Sequence, residues 1–108
     1  MIIKKQIHVP IMLDMKDEFR ALCLHHETNM SDVLQMYVVH WIQGRMQQER
    51  FFRCWYPLFG GDDAMHIQIN EPLWNAMMNE KDRTGFHPYD FFLSCIEESV
   101  RLGSIDVL

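Results

Sequence analysis

The chain has 108 residues, 48% of them apolar and 23% charged, a balance that builds one globular core and that disordered chains do not show. Its formal charge is −5, and the acidity is concentrated late. Residues 1–44 carry four Lys/Arg against five Asp/Glu, residues 45–63 three against three, and residues 64–108 three against seven. That sign speaks against a protein that coats a polyanion non-specifically, although a local basic face still serves a local contact.

No apolar run approaches the ~20 residues of a membrane span. The opening Met1-Ile2-Ile3-Lys4-Lys5 is followed by no apolar stretch or small-residue cleavage site, so no secretory signal is expected. Three cysteines, Cys23, Cys54 and Cys95, cannot all pair within one chain and fit no zinc spacing. Reduced thiols in a cytoplasm are the expectation.

In chain order, Ile7, Val9 and Ile11 alternate with Gln6, His8 and Pro10, the period of a half-buried strand. Met15, Phe19, Leu22 and Cys23 then recur at helical spacing behind Asp14, with Asp17 and Glu18 in the early turns. Glu27-Thr28-Asn29 interrupts that helix. A second begins near Asn29 or Ser31, either of which can cap it, and carries the apolar stripe Val33, Leu34, Tyr37, Val38, Trp41 and Ile42.

The same order returns 58 positions later. Met65, Ile67 and Ile69 alternate with His66, Gln68 and Asn70; Glu71-Pro72 opens a helix with Leu73, Trp74, Met77 and Met78; Gly85 ends it. A further helix follows His87-Pro88, with Phe91, Phe92, Cys95, Ile96 and Val100 on one side. The offset maps His8 on His66, Val9 on Ile67, Ile11 on Ile69, Asp32 on Asp90, Val33 on Phe91, Leu34 on Phe92 and Val38 on Ile96. The first helices agree less well, because Leu22 and Cys23 fall on Glu80 and Lys81. A strand and two helices cannot bury their own apolar faces, whereas two such units can share one core. The expected fold is therefore mostly α with a two-stranded antiparallel β-ribbon. It is a single domain of two copies, residues 1–44 and 64–108, joined by a connector at 45–63.

With that order the chain resembles the ribbon-helix-helix family, the β-ribbon DNA readers of the Arc and MetJ repressor type. The second copy, HIQINEPLWNAMMNEKDRTGFHPYDFFLSCIEESVRLG, has the strand, helix opening, Gly-containing turn and second helix. The first, IHVPIMLDMKDEFRALCLHHETNMSDVLQMYVVHW, has the same order without a Gly at the turn. The resemblance is to tandem members in which one chain supplies both halves of a pseudo-dimer. It implies a ribbon in the major groove whose outward side chains read base edges: Gln6 and His8 from one strand, His66, Gln68 and Asn70 from the other. Pro10, also outward, reads nothing. It further implies phosphate anchoring at the amino ends of the second helices, by Asn29, Met30 and Ser31 in one copy and by His87 and Tyr89 in the other, with Lys4 and Lys5 adding charge. Asp32 and Asp90 oppose that contact. A solvated ribbon face and solubilising lysines are the plain alternative.

The connector gathers Phe51, Phe52, Trp55, Tyr56, Leu58 and Phe59 ahead of Gly60-Gly61. It covers the open end of the core, or forms a protein interface through Arg53, Trp55, Tyr56 and Phe59, or touches nucleic-acid backbone through Arg45, Arg50 and Arg53; the sequence leaves all three open. Cys23 and His26, spaced i, i+3, are completed by no further ligand, so no metal or cofactor is expected. No nucleophile motif, P-loop or dinucleotide fingerprint is present, and the chain is not expected to be an enzyme. Two functions follow. One is a sequence-specific DNA-binding regulator with unlike half-sites. The other is an acidic protein-interaction module or inhibitor, for example phage-encoded, that covers a partner's nucleic-acid-binding surface.

Overall fold

The computed structural model describes residues 3–44, 63–85 and 87–105. The connector readings, including Arg53, Trp55, Tyr56 and Phe59, lie outside the described residues.

Two strands and four helices follow in the order β1 (Lys4–Ile11), α1 (Leu13–His25), α2 (Met30–Ile42), β2 (Asp63–Asn70), α3 (Glu71–Thr84) and α4 (Pro88–Leu102). The strands pair antiparallel, from Lys4↔Asn70 through Ile7↔Ile67 and His8↔His66 to Ile11↔Asp63. β1 begins two residues before the alternation does, because Lys4 and Lys5 extend the ladder opposite Asn70 and Ile69. One face of the ribbon is apolar by strict alternation: Ile7, Val9, Ile11, Met65, Ile67 and Ile69 are all buried beneath it.

Each helix end has an identifiable cause. Met12 is the N-cap of α1, without a side-chain cap bond, and Asp14 lies in the first turn. Asn29 caps α2, its Oδ1 accepting from the Asp32 N–H at 2.9 Å while its Nδ2 donates to the Asp32 carboxylate at 3.0 Å. His87 caps α4 with its ring Nδ1, and Pro88 opens the helix where a missing N–H costs nothing. Gly85, at φ 80°, ends α3. At the end of α1 the left-handed residue is Glu27, at φ 58°. There the Glu27 N–H donates to the Leu24 carbonyl and the Thr28 N–H to the Cys23 carbonyl, a Schellman closure built without glycine.

The helices pack crosswise. α1 lies against α4 and α2 against α3, while α2 also covers β2 and α4 covers β1. Every element of the first half is thus seated on elements of the second. One core results, with Phe19, Leu34, Met77, Phe91, Phe92 and Ile96 fully enclosed. Trp41 meets Phe91 with ring centroids 5.2 Å apart. The Tyr37 hydroxyl lies 2.7 Å from Ser99 Oγ. Ser99 Oγ itself donates to the Cys95 carbonyl, so the Tyr37 hydroxyl is the donor between the two.

Candidate functional site

The outward face of the ribbon follows from the register. Gln68 sends its N–H away from β1, to Ser31 Oγ at 2.9 Å, and Asn70 sends its N–H to Gln35 Oε1 at 2.8 Å. The even-numbered residues therefore occupy the non-hydrogen-bonded sites of the ladder, where opposed side chains approach most closely. They form four rungs on one face: Lys4 with Asn70, Gln6 with Gln68, His8 with His66, and Pro10 with Ala64. Lys4, Gln6, His8, His66 and Gln68 are exposed, while Asn70, Pro10 and Ala64 are half-buried. The His8 and His66 rings have centroids 4.1 Å apart, inclined at 56°. Five side chains expected from the sequence to face outward, Gln6, His8, His66, Gln68 and Asn70, thus share one surface. Lys4 joins them at its end; Lys5, of the other parity, is exposed beside it.

The Lys4–Asn70 end of this surface adjoins the amino end of α2, tied to it by the Ser31 and Gln35 bonds to β2. In that first turn the Asp32 N–H is taken by Asn29. The N–H groups of Met30 and Ser31 have no protein acceptor among the described residues. The amino end of α4 differs. Pro88 has no N–H, the Tyr89 N–H is held by His87 Nδ1 at 3.1 Å, and the Asp90 N–H by the His87 carbonyl at 3.0 Å. The His87 ring Nδ1, the His87 carbonyl and the Tyr89 N–H are thus spent on the helix that they begin. Their rings also touch, with centroids 4.6 Å apart.

Four of the seven described Lys and Arg residues are already matched with acids. Lys16 Nζ donates to Asp63 at 2.8 Å and holds that carboxyl below its ordinary pKa, chiefly through the hydrogen bond. Arg20 faces Asp17, Arg83 pairs with Glu80, and Arg101 faces Glu97. Lys4, Lys5 and Lys81 have no carboxylate partner among the described residues. Two of these three stand at one end of the ribbon.

Sequence reasoning did not single out Gln35, which closes the outer edge of β2. A glutamine on a helix carries no signal for such a contact until the helix is placed. The facing of His8 and His66 is set by the register of the ribbon, which the alternation within each strand does not fix. No family model, no curated protein and no solved structure matches the chain.

Proposed function

We propose that the chain is a sequence-specific DNA-binding regulator, a ribbon-helix-helix pseudo-dimer made within one polypeptide, that reads the major groove with its β-ribbon. Duplication is supported by the helix starts. Leu13 and Glu71 open α1 and α3, and Met30 and Pro88 open α2 and α4; both pairs are 58 positions apart (71 − 13 and 88 − 30). The capping residues Asn29 and His87, and the left-handed residues Glu27 and Gly85, keep the same spacing. In the first helices Phe19 and Met77 are equivalent and both fully enclosed. Elsewhere these two helices diverge: Arg20 corresponds to Met78, and the buried Cys23 to Lys81, which is not buried.

The observation that carries the functional reading is the outward ladder itself. Gln6 faces Gln68 and His8 faces His66 on a two-stranded surface with no aliphatic residue at its centre. A two-stranded ribbon fits the major groove, and glutamine pairs bidentately with adenine. The anchors are unequal: Lys4, Lys5 and the amino end of α2 gather at one end, while the amino end of α4 is self-satisfied. The preferred site is therefore asymmetric, with backbone contacts concentrated in one half. Fluorescence anisotropy on mixed duplex DNA at ~50 and ~200 mM salt tests this. Binding that weakens steeply with salt is expected, because phosphate contacts release counterions. Gln68→Ala should relax base preference by ~1–3 kcal/mol at one position. Absence of binding at the lower salt overturns the reading.

The pairing of so many cations with neighbouring acids favours a second reading, an acidic module that occupies a partner's nucleic-acid-binding surface. That reading expects no duplex binding at either salt and retention of a nucleic-acid-binding protein from lysate.

A further inference from the structure

We propose that His8 and His66 form a chelating site for a divalent transition-metal ion of the borderline class, such as Zn²⁺, Ni²⁺ or Cu²⁺. These are the metals that imidazole nitrogen suits. The two residues are distant in sequence, but the ribbon makes them Cα partners on a non-hydrogen-bonded rung, with ring centroids 4.1 Å apart. Two nitrogens sharing one tetrahedral ion at Zn–N distances of 2.0–2.1 Å stand about 3.3 Å apart. Rings already this close reach that spacing by turning about their own side-chain torsions, which for histidine are soft. Both side chains are exposed, and among the described residues neither ring has a hydrogen-bond partner that a metal must displace.

The backbone supplies the preorganisation. The strands fix both Cα positions, and packing of Ile7, Val9, Met65 and Ile67 beneath them fixes the register. The site is open rather than enclosed. Among the described residues no group of three or more His, Cys, Asp or Glu side chains gathers, so water completes the coordination. That marks an exchangeable ion, not a structural zinc held by four protein ligands. The inference does not depend on DNA binding. If the ribbon does read bases, an ion on its central rung withdraws both histidines from contact.

Titration of the full chain with Zn²⁺ by calorimetry, and with Cu²⁺ by electron paramagnetic resonance, tests the proposal in the absence of DNA. One ion per chain and a Cu²⁺ spectrum with two imidazole nitrogens are expected. His8→Gln and His66→Gln should each weaken binding roughly ten-fold or more, since each removes one of two protein ligands. The double variant His25→Gln, His26→Gln controls for the exposed histidine pair at the end of α1, whose centroids are 5.5 Å apart, and should bind as the parent does. Unaltered binding in His8→Gln and His66→Gln, loss of binding in the control variant, or no binding by the parent overturns the assignment. A duplex-binding assay on the same proteins reports separately on the regulator reading.

Discussion

Glu27 holds a left-handed backbone, φ 58°, that residues with a Cβ adopt at a cost of roughly 1–2 kcal/mol. At the turn between α3 and α4 the left-handed residue is Gly85, at φ 80°, which adopts the same region freely. The two turns thus do one job with unequal residues. Glu27→Gly should raise stability by up to ~1 kcal/mol and Gly85→Ala should lower it by a similar amount, both read from urea midpoints. Beyond its chain neighbours, none of the described residues would meet a Cβ at Gly85, so backbone strain rather than a clash sets that effect.

Cys23 illustrates burial acting on a titration. Desolvation pushes its thiol up to about 11, whereas in the unfolded chain it ionises near 8.5. A folded value above the unfolded one gives stability that is complete below the unfolded value and is lost as pH rises toward the folded one. Denaturation midpoints should fall between about pH 8.5 and 11, more steeply for the parent than for Cys23→Ala. Equal slopes would mean that the thiol is not shielded.

The strands show how one element protects another. An exposed ribbon has two outer edges, each able to recruit a further strand. On β2 the outward N–H groups of Gln68 and Asn70 are held by Ser31 and Gln35, one helical turn apart on α2. On β1 the equivalent position in the ladder holds Pro10, which has no N–H to offer, with Lys4 further along. Because the β2 bonds lie near solvent, Ser31→Ala and Gln35→Ala should cost only about 0.5 kcal/mol each. Amide exchange at Gln68 and Asn70 should accelerate while that at Ile67 and Ile69, within the ladder, stays slow.

The same elements mark what the sequence could and could not convey. Alternation at 7–11 and 65–69 identified the strands and their buried faces, since a period of two leaves only one apolar side. The helices were legible from their apolar stripes and the breaks between them; of the two caps open to α2, Asn29 and Ser31, Asn29 takes the place. Three boundaries were not legible. β1 begins at Lys4 and β2 at Asp63, because pairing, not hydrophobicity, decides where a ladder ends, and α1 opens at Leu13, ahead of Asp14. The face-to-face histidines depend on a register that no local pattern encodes, as does the self-capping that closes the amino end of α4.

At the scale of the molecule, the core is built so that each half fits the other better than itself. Under the proposed duplication Tyr37 and Trp41 of α2 correspond to Cys95 and Ser99 of α4, while Val33 corresponds to Phe91. The helix with two large residues therefore meets the helix with two small ones. Trp41 packs on Phe91 with the rings inclined at 40°, and Tyr37 spans to Ser99. Pairing the first half with itself would set Tyr37 and Trp41 against their own copies, an overpacked core costing ~1–3 kcal/mol per clash. Pairing the second half with itself would set Cys95 and Ser99 together and leave voids costing ~24 cal/mol per Å³. A single chain escapes both outcomes, because the connector keeps the unlike halves at high effective concentration. Expressed separately, residues 1–62 and 63–108 should each show little helical signal, and mixing them should restore it as a 1:1 complex. Sedimentation and far-ultraviolet dichroism distinguish the outcomes. A stable homodimer of either fragment would show that the size complementarity does not govern pairing.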